Sequence, residues 1–189
     1  MSESGNPALE SSLCYESSET TSHVRTGGLS GGRSCSRASH VVLNKMKVLV
    51  VSGARSHVGK TSLARALCRM LPGAVRIKIG HHPRKAGYDD GFFYPKGTGF
   101  KVIASEHDTA EFLIIESNSI LEEVSPDCTI YLPADNPKPS AEMALKKADI
   151  IRGHPVSLSG IAMLAQRLGC KEAVIEKIIE VSGAHKEQG

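Results

Sequence analysis

The sequence predicts an α/β fold over residues 46–189: a doubly wound, mostly parallel sheet with C-terminal helices. Three observations predict it. Short apolar runs rich in β-branched residues alternate with stretches of helical periodicity. The first run passes through a glycine loop straight into an amphipathic helix. The alternation of strand and helix then continues without an internal repeat.

Taken in order, Lys47-Val48-Leu49-Val50-Val51-Ser52 reads as a fully buried strand that ends at Gly53. From Lys60 to Leu71, the residues Leu63, Ala64, Leu67, Cys68 and Leu71 recur at three and four. That spacing places one apolar stripe on a helix, which Pro72-Gly73 terminates. Ala74 to Ile79 reads as a second strand. Gly80 to Gly99 holds five glycines, two prolines and Tyr88, Phe92, Phe93 and Tyr94, so it reads as one long loop. Loops of that length in compact domains are usually functional or mobile. Phe112 to Ile115 and Thr129 to Leu132 read as the third and fourth strands, with helical stretches near Ser119 to Val124 and Ser140 to Ala148. Leu158 to Leu168 and Lys171 to Val181 read as two helices broken at Gly169.

Composition sets the domain boundary. Residues 1–45 contain eleven Ser, three Thr and five Gly, and cannot bury enough apolar surface to offset the entropy of ordering. A disordered tail is expected over 1–45, with Met46 as the natural start of a single domain over 46–189. No run approaches the ~18 consecutive apolar residues of a spanning helix, and the N-terminus has no apolar signal core. The expectation is a soluble, cytoplasmic protein without membrane partners. The net charge of +3 does not argue for nucleic acid. Cys14, Cys35, Cys68, Cys128 and Cys170 show no CxxC spacing; the last three, in apolar segments, are expected as buried reduced thiols.

Chemistry concentrates after the first strand. Ala54-Arg55-Ser56-His57-Val58-Gly59-Lys60-Thr61 fits the phosphate-binding loop pattern at every defining position but the first, where Ala54 stands for glycine and Gly53 precedes it. Consecutive N–H groups at a helix start form an anion nest, Lys60 can reach β and γ phosphates, and the Thr61 hydroxyl can ligate Mg²⁺. Gly53 through Ser62 are therefore the candidate nucleotide-binding residues, for GTP or ATP. Glu116 ends the apolar run Phe112-Leu113-Ile114-Ile115, and an acid there is hard to explain as a solvated face. Glu116 is the candidate catalytic and metal-binding carboxylate beside Lys60 and Thr61.

Weaker candidates for substrate or anion contact follow. His81 and His82 come after the second strand, at the sheet edge where open α/β folds bind ligands, and Lys96 lies in the same cationic segment as Arg84 and Lys85, tempered by Asp89 and Asp90. Asn136 and Lys138 follow the fourth strand, but Pro139 stands where a guanine-reading motif would carry Asp, and a proline turn explains the segment as well. Ala165, Gly169 and Ile175 have helix-turn-helix spacing. The second helix, with Lys171, Glu172, Glu176, Lys177 and Glu180, is net negative, which favours two packed helices over a DNA reader.

With those residues in hand, the sequence resembles the SIMIBI class of P-loop NTPases, and within it the molybdopterin-guanine dinucleotide biosynthesis adaptor protein B family. The likeness rests on the Ala54 to Thr61 loop, on Arg76-Ile77-Lys78-Ile79-Gly80-His81-His82, similar to the family's Ile-Lys-His-x-His-His, and on Leu113-Ile114-Ile115-Glu116. The resemblance implies a homodimeric, Mg²⁺-dependent GTP-binding adaptor with weak hydrolysis, assisting a guanylyltransferase that attaches GMP to molybdopterin. The chain departs from the family at Ser117-Asn118-Ser119, where Gly-Phe is usual, and at Lys96-Gly97-Thr98. A small-molecule kinase or ligase of the dethiobiotin-synthetase kind, and a nucleotide-dependent regulator with a C-terminal helix-turn-helix, stay open beside it.

Overall fold

Alternate residues of the first strand serve two different cores. In β1 (Lys47–Gly53) Leu49 and Val51 face one side of the sheet and Val48 and Val50 the other, and all four are buried. This period-2 division is what a strand buried on both faces requires. The computed structural model describes residues 46–81 and 91–187. The tail expected over 1–45 and residues 82–90, which include His82, Arg84, Lys85, Asp89 and Asp90, lie outside the described residues.

The chain continues through α1 (Lys60–Met70), β2 (Ala74–Gly80), β3 (Phe92–Pro95), α2 (Phe100–Glu106) and β4 (Phe112–Glu116). A 3-10 turn, Ser119–Glu122, leads to β5 (Cys128–Leu132), α3 (Ser140–Lys146) and β6 (Ile150–Ile151). β7 (Pro155–Val156), α4 (Leu158–Leu168), α5 (Glu172–Ser182) and β8 (His185–Lys186) complete it. Six strands form one parallel sheet in the order β3-β2-β4-β1-β5-β6, and β7 pairs with β8 in a small second sheet. Helices α1, α4 and α5 cover one face; α2, the 3-10 turn and α3 cover the other. The fold is α/β and doubly wound.

The order places β1 between β4 and β5, while the chain leaves β1 for β2 in one direction and leaves β4 for β5 in the other. A crevice at the carboxyl ends of β1 and β4 is the consequence, the place where ligands of such sheets bind. Both chemical segments, the loop after β1 and the acid ending β4, reach it.

Where the structure differs from the sequence-based expectation, short or edge elements are responsible. The segment expected to be a loop from Gly80 to Gly99 contains β3, so the strand expected third is the fourth. Phe92, Phe93 and Tyr94 pair with Ile77, Lys78 and Ile79, but an edge strand with an exposed Phe92 lacks a clear apolar alternation. Pro95 is tolerated there because an edge need not donate on its outer side. Helix α2 is seven residues long with Ile103 as its buried residue, too little for a periodic signal. Of the thiols, Cys128 is buried while Cys68 and Cys170 are half-buried, and no disulfide joins them to one another.

The C-terminal pair is core. Ile161, Leu164, Leu168, Ile175, Ile178 and Ile179 are buried against the α1 face, each worth about 1.5–3 kcal/mol of transfer free energy. Gly169 and Gly183 end α4 and α5 with φ of 64° and 74°, the left-handed backbone glycine adopts without strain. Glu172, Glu176, Lys177 and Glu180 remain on the exposed face of α5. No helix among the described residues is long and apolar enough to cross a membrane.

Candidate functional site

The loop between β1 and α1 is held by its backbone. A Cβ at Gly53 would stand 2.8 Å from Val58 Cγ2 and 3.1 Å from the Leu132 carbonyl oxygen, so only glycine fits where the chain leaves the sheet. The Asn118 side chain clips the same residue twice: the Gly53 N–H donates to Oδ1 at 3.1 Å, and Nδ2 donates to the Gly53 carbonyl at 3.0 Å. Ala54, fully buried, donates its N–H to the Leu132 carbonyl and accepts from the Lys138 N–H, both at 2.9 Å. His57 and Gly59 take left-handed φ of 64° and 96°. Across the loop, Arg152 donates to the Val58 carbonyl at 3.3 Å and to the Ser182 carbonyl at 3.0 Å.

Helix α1 starts from Gly59 without a side-chain cap and without an acid in its first turn. Its positive end is therefore uncompensated by the helix itself, and an anion there would be stabilised. Lys60 is the first helical residue, a poor place for a cation unless a negative ligand joins it. Its ammonium curls back to donate to the Arg55 carbonyl at 2.6 Å. Burial holds the Lys60 pKa below the usual lysine value; Glu116 partly offsets this, while Lys78 and Lys138 add to it.

Beneath the loop lies a carboxylate seat assembled from three elements. The Thr61 hydroxyl, on α1, donates to Glu116 Oε2 at 2.7 Å. Arg76, on β2, donates through NH1 to Glu116 Oε1 at 3.0 Å, and both side chains are 2% exposed. Lys78 Nζ stands 3.8 Å from Oε2 and 3.5 Å from Thr61 Oγ1. Register explains the convergence: Lys78 pairs opposite Glu116 and Arg76 opposite Ile114, and residues two apart on a strand share a face. Glu116 does not point to solvent.

The crevice is a cavity of about 710 Å³. Of the residues the sequence singles out, Gly53, Arg55, Ser56, His57, Gly59, Lys60, Thr61, Ser62, His81, Lys96, Glu116 and Lys138 line it. Ala54 and Val58 pack into the two cores instead, and Asn136 holds the turn after β5 at φ 54° away from the cavity. Lys138 joins through its side chain, with Nζ 3.4 Å from Ser56 Oγ. Arg55, Lys60, Arg65, Lys78, Lys96 and Lys138 face two carboxylates, Glu116 and Glu122, so the lining is cationic. Such a cavity concentrates anions. Among the described residues no cluster of three or more His, Cys, Asp or Glu is built to hold a metal by itself.

Sequence reasoning missed Arg76 and Lys78 as parts of this site, and it missed the clip that Asn118 makes on Gly53. For the first two a signal existed, since charges at alternate positions of an otherwise apolar strand need a partner if the strand is covered on both faces. Asn118 had none, because a clip on another strand's backbone leaves no pattern in its own neighbourhood. Compared with protein-family models, with curated protein sequences and with solved structures, the chain matches none.

Proposed function

We propose that the cavity binds a nucleoside triphosphate, GTP or ATP, with Mg²⁺, in the manner of P-loop NTPases. One observation carries the reading: the Thr61 hydroxyl meets Glu116 Oε2 at 2.7 Å at the start of a helix whose first residue is Lys60. A hydroxyl and a carboxylate oxygen fit a hard divalent cation, which takes few protein ligands and completes its shell with phosphate oxygens and water. Thr61 and Glu116 would hold Mg²⁺, and the ion supplies charge neutralisation to the phosphates when bound. The loop amides and Lys60 hold the β and γ phosphates. Catalysis in such a site is positioning and charge stabilisation, so weak hydrolysis is the expected basal activity.

The resemblance extends the reading to a homodimeric adaptor that assists a guanylyltransferase acting on molybdopterin. A second reading, transfer to a small anionic acceptor as in a kinase or ligase of the dethiobiotin-synthetase kind, is favoured by Lys78, His81 and Lys96, which add cationic and imidazole groups to the lining beyond the loop. The exposed acids of α5 give no support to a DNA reader.

Isothermal titration with ATP and with GTP, each with and without Mg²⁺, tests the reading. The expected result is saturable binding of at least one nucleotide that tightens with Mg²⁺. Absence of binding to both overturns it.

A further inference from the structure

Arg76 touches the carboxylate of the site but does not line the cavity. Its side chain is 2% exposed, and its guanidinium meets a residue on each of two sides. On one side is Glu116 Oε1, 3.0 Å from NH1. On the other is Gly91, just before β3, where a Cβ would stand 2.6 Å from NH2, 2.8 Å from Cζ and 2.9 Å from the Arg76 carbonyl oxygen. The absent side chain at 91 is what gives the guanidinium its place.

Stability is a poor account of this arrangement. Desolvating two charges consumes most of their attraction, and an apolar pair of similar volume usually serves a core as well. What an apolar pair could not do is choose between the two oxygens of Glu116. The planar guanidinium fork recognises a carboxylate with a defined orientation.

We propose that Arg76 is a positioning residue of the metal–nucleotide site. By engaging Oε1 it turns Oε2 toward Thr61 and toward the cation that arrives with the phosphates, and Gly91, just before the neighbouring strand β3, keeps the guanidinium in place. The inference rests on the nucleotide reading above and adds a role for Arg76 of β2 and for Gly91, neither of which lines the cavity. Loss of an orienting partner behind a metal ligand ordinarily weakens metal binding about 10–100-fold.

The test uses the full-length chain, Mn²⁺ as the probe and non-hydrolysable ATP and GTP analogues. Nucleotide affinity is first measured in EDTA, then Mn²⁺ affinity is measured at saturating analogue, for wild type, Arg76→Lys, Arg76→Met and Gly91→Ala. Metal-free nucleotide affinity should stay within about threefold in all, since Lys60 and the loop amides are untouched. Mn²⁺ affinity should fall about tenfold or more in Arg76→Met, less in Arg76→Lys, and measurably in Gly91→Ala, where the charge remains but its place is taken. Folded Arg76→Met with Mn²⁺ affinity within twofold of wild type overturns the proposal. Should Arg76→Met fail to fold, the two charge-retaining variants decide, and unchanged Mn²⁺ affinity in both overturns it. A wild type that binds neither analogue overturns the nucleotide reading and this one with it.

Discussion

The loop over the cavity and the carboxylate seat beneath it are built by opposite means. Gly53 to Thr61 is contiguous in sequence and fixed by main-chain bonds, left-handed residues and one amide clip, with its side chains at Arg55, Ser56 and His57 exposed. The seat joins α1, β2 and β4, and its shape comes from buried charges: Arg76 and Glu116 exclude water almost entirely. In the loop, conformation is the vulnerable property. In the seat it is charge balance, because removing one partner of a buried ion pair is strongly destabilising.

The largest separation between the two should appear in Glu116→Gln. The amide keeps the volume but removes the carboxylate charge that Arg76 meets at 3.0 Å, and breaking a buried pair costs about 3–5 kcal/mol. Single-turnover hydrolysis of ATP and GTP should fall roughly a hundredfold or more, while a melting curve records the stability loss. Turnover within about threefold of wild type would remove the carboxylate from the chemistry.

Lys60→Ala should do the reverse. Removing two charge-assisted contacts to phosphates costs about 3 kcal/mol of binding, or roughly a hundredfold in Kd. The fold should hold, since the ammonium serves no core. Titration calorimetry beside a thermal melt separates the two effects, and unchanged affinity for both nucleotides defeats the role of the loop.

Gly53→Ala probes conformation alone. The new methyl meets Val58 Cγ2 at 2.8 Å, and the loop must shift; overpacking of this kind costs about 1–3 kcal/mol. Chemical denaturation should show that loss, and no loss would mean that the loop is softer than its contacts indicate.

The smallest effect is a pH dependence. Burial lowers the Lys60 pKa, so in the free protein its charge is lost at lower pH than that of an ordinary lysine. Phosphate affinity should weaken as pH rises through that transition. The folded state binds fewer protons than the unfolded one between the lowered and the ordinary value, so the stability cost of burying this ammonium is relieved as pH rises across the same window. Titrations across alkaline pH check the first point. The same slope in Lys60→Ala would assign it to another group.

The same contrast decides what was legible in the sequence. A loop that presents consecutive backbone amides is contiguous by construction, so Gly59-Lys60-Thr61 stood out between an apolar strand and an amphipathic helix. Glu116 was legible because an acid closing a buried strand is anomalous on its own. Its partners were not, because Arg76 and Lys78 acquire meaning only when β2 lies beside β4, a pairing fixed by the path of the whole chain. Strand β3 was hidden for a related reason: at the sheet edge, with Phe92 exposed, it carries little of the burial that creates a pattern.

Arg152 gives the loop a connection to the end of the chain. One side chain, immediately after β6, bridges the Val58 carbonyl of the loop and the Ser182 carbonyl at the end of α5. The left-handed Gly183 fits closely against its aliphatic stem, where a Cβ would stand 3.4 Å away. Through that bridge, a ligand that quiets the loop should also quiet the last turn of α5, more than a hundred residues further along the sequence. Slowed exchange of the Ser182 and Gly183 amides with deuterium would then report occupancy of a cavity neither residue lines, a reporter that can be read without labelling the site itself.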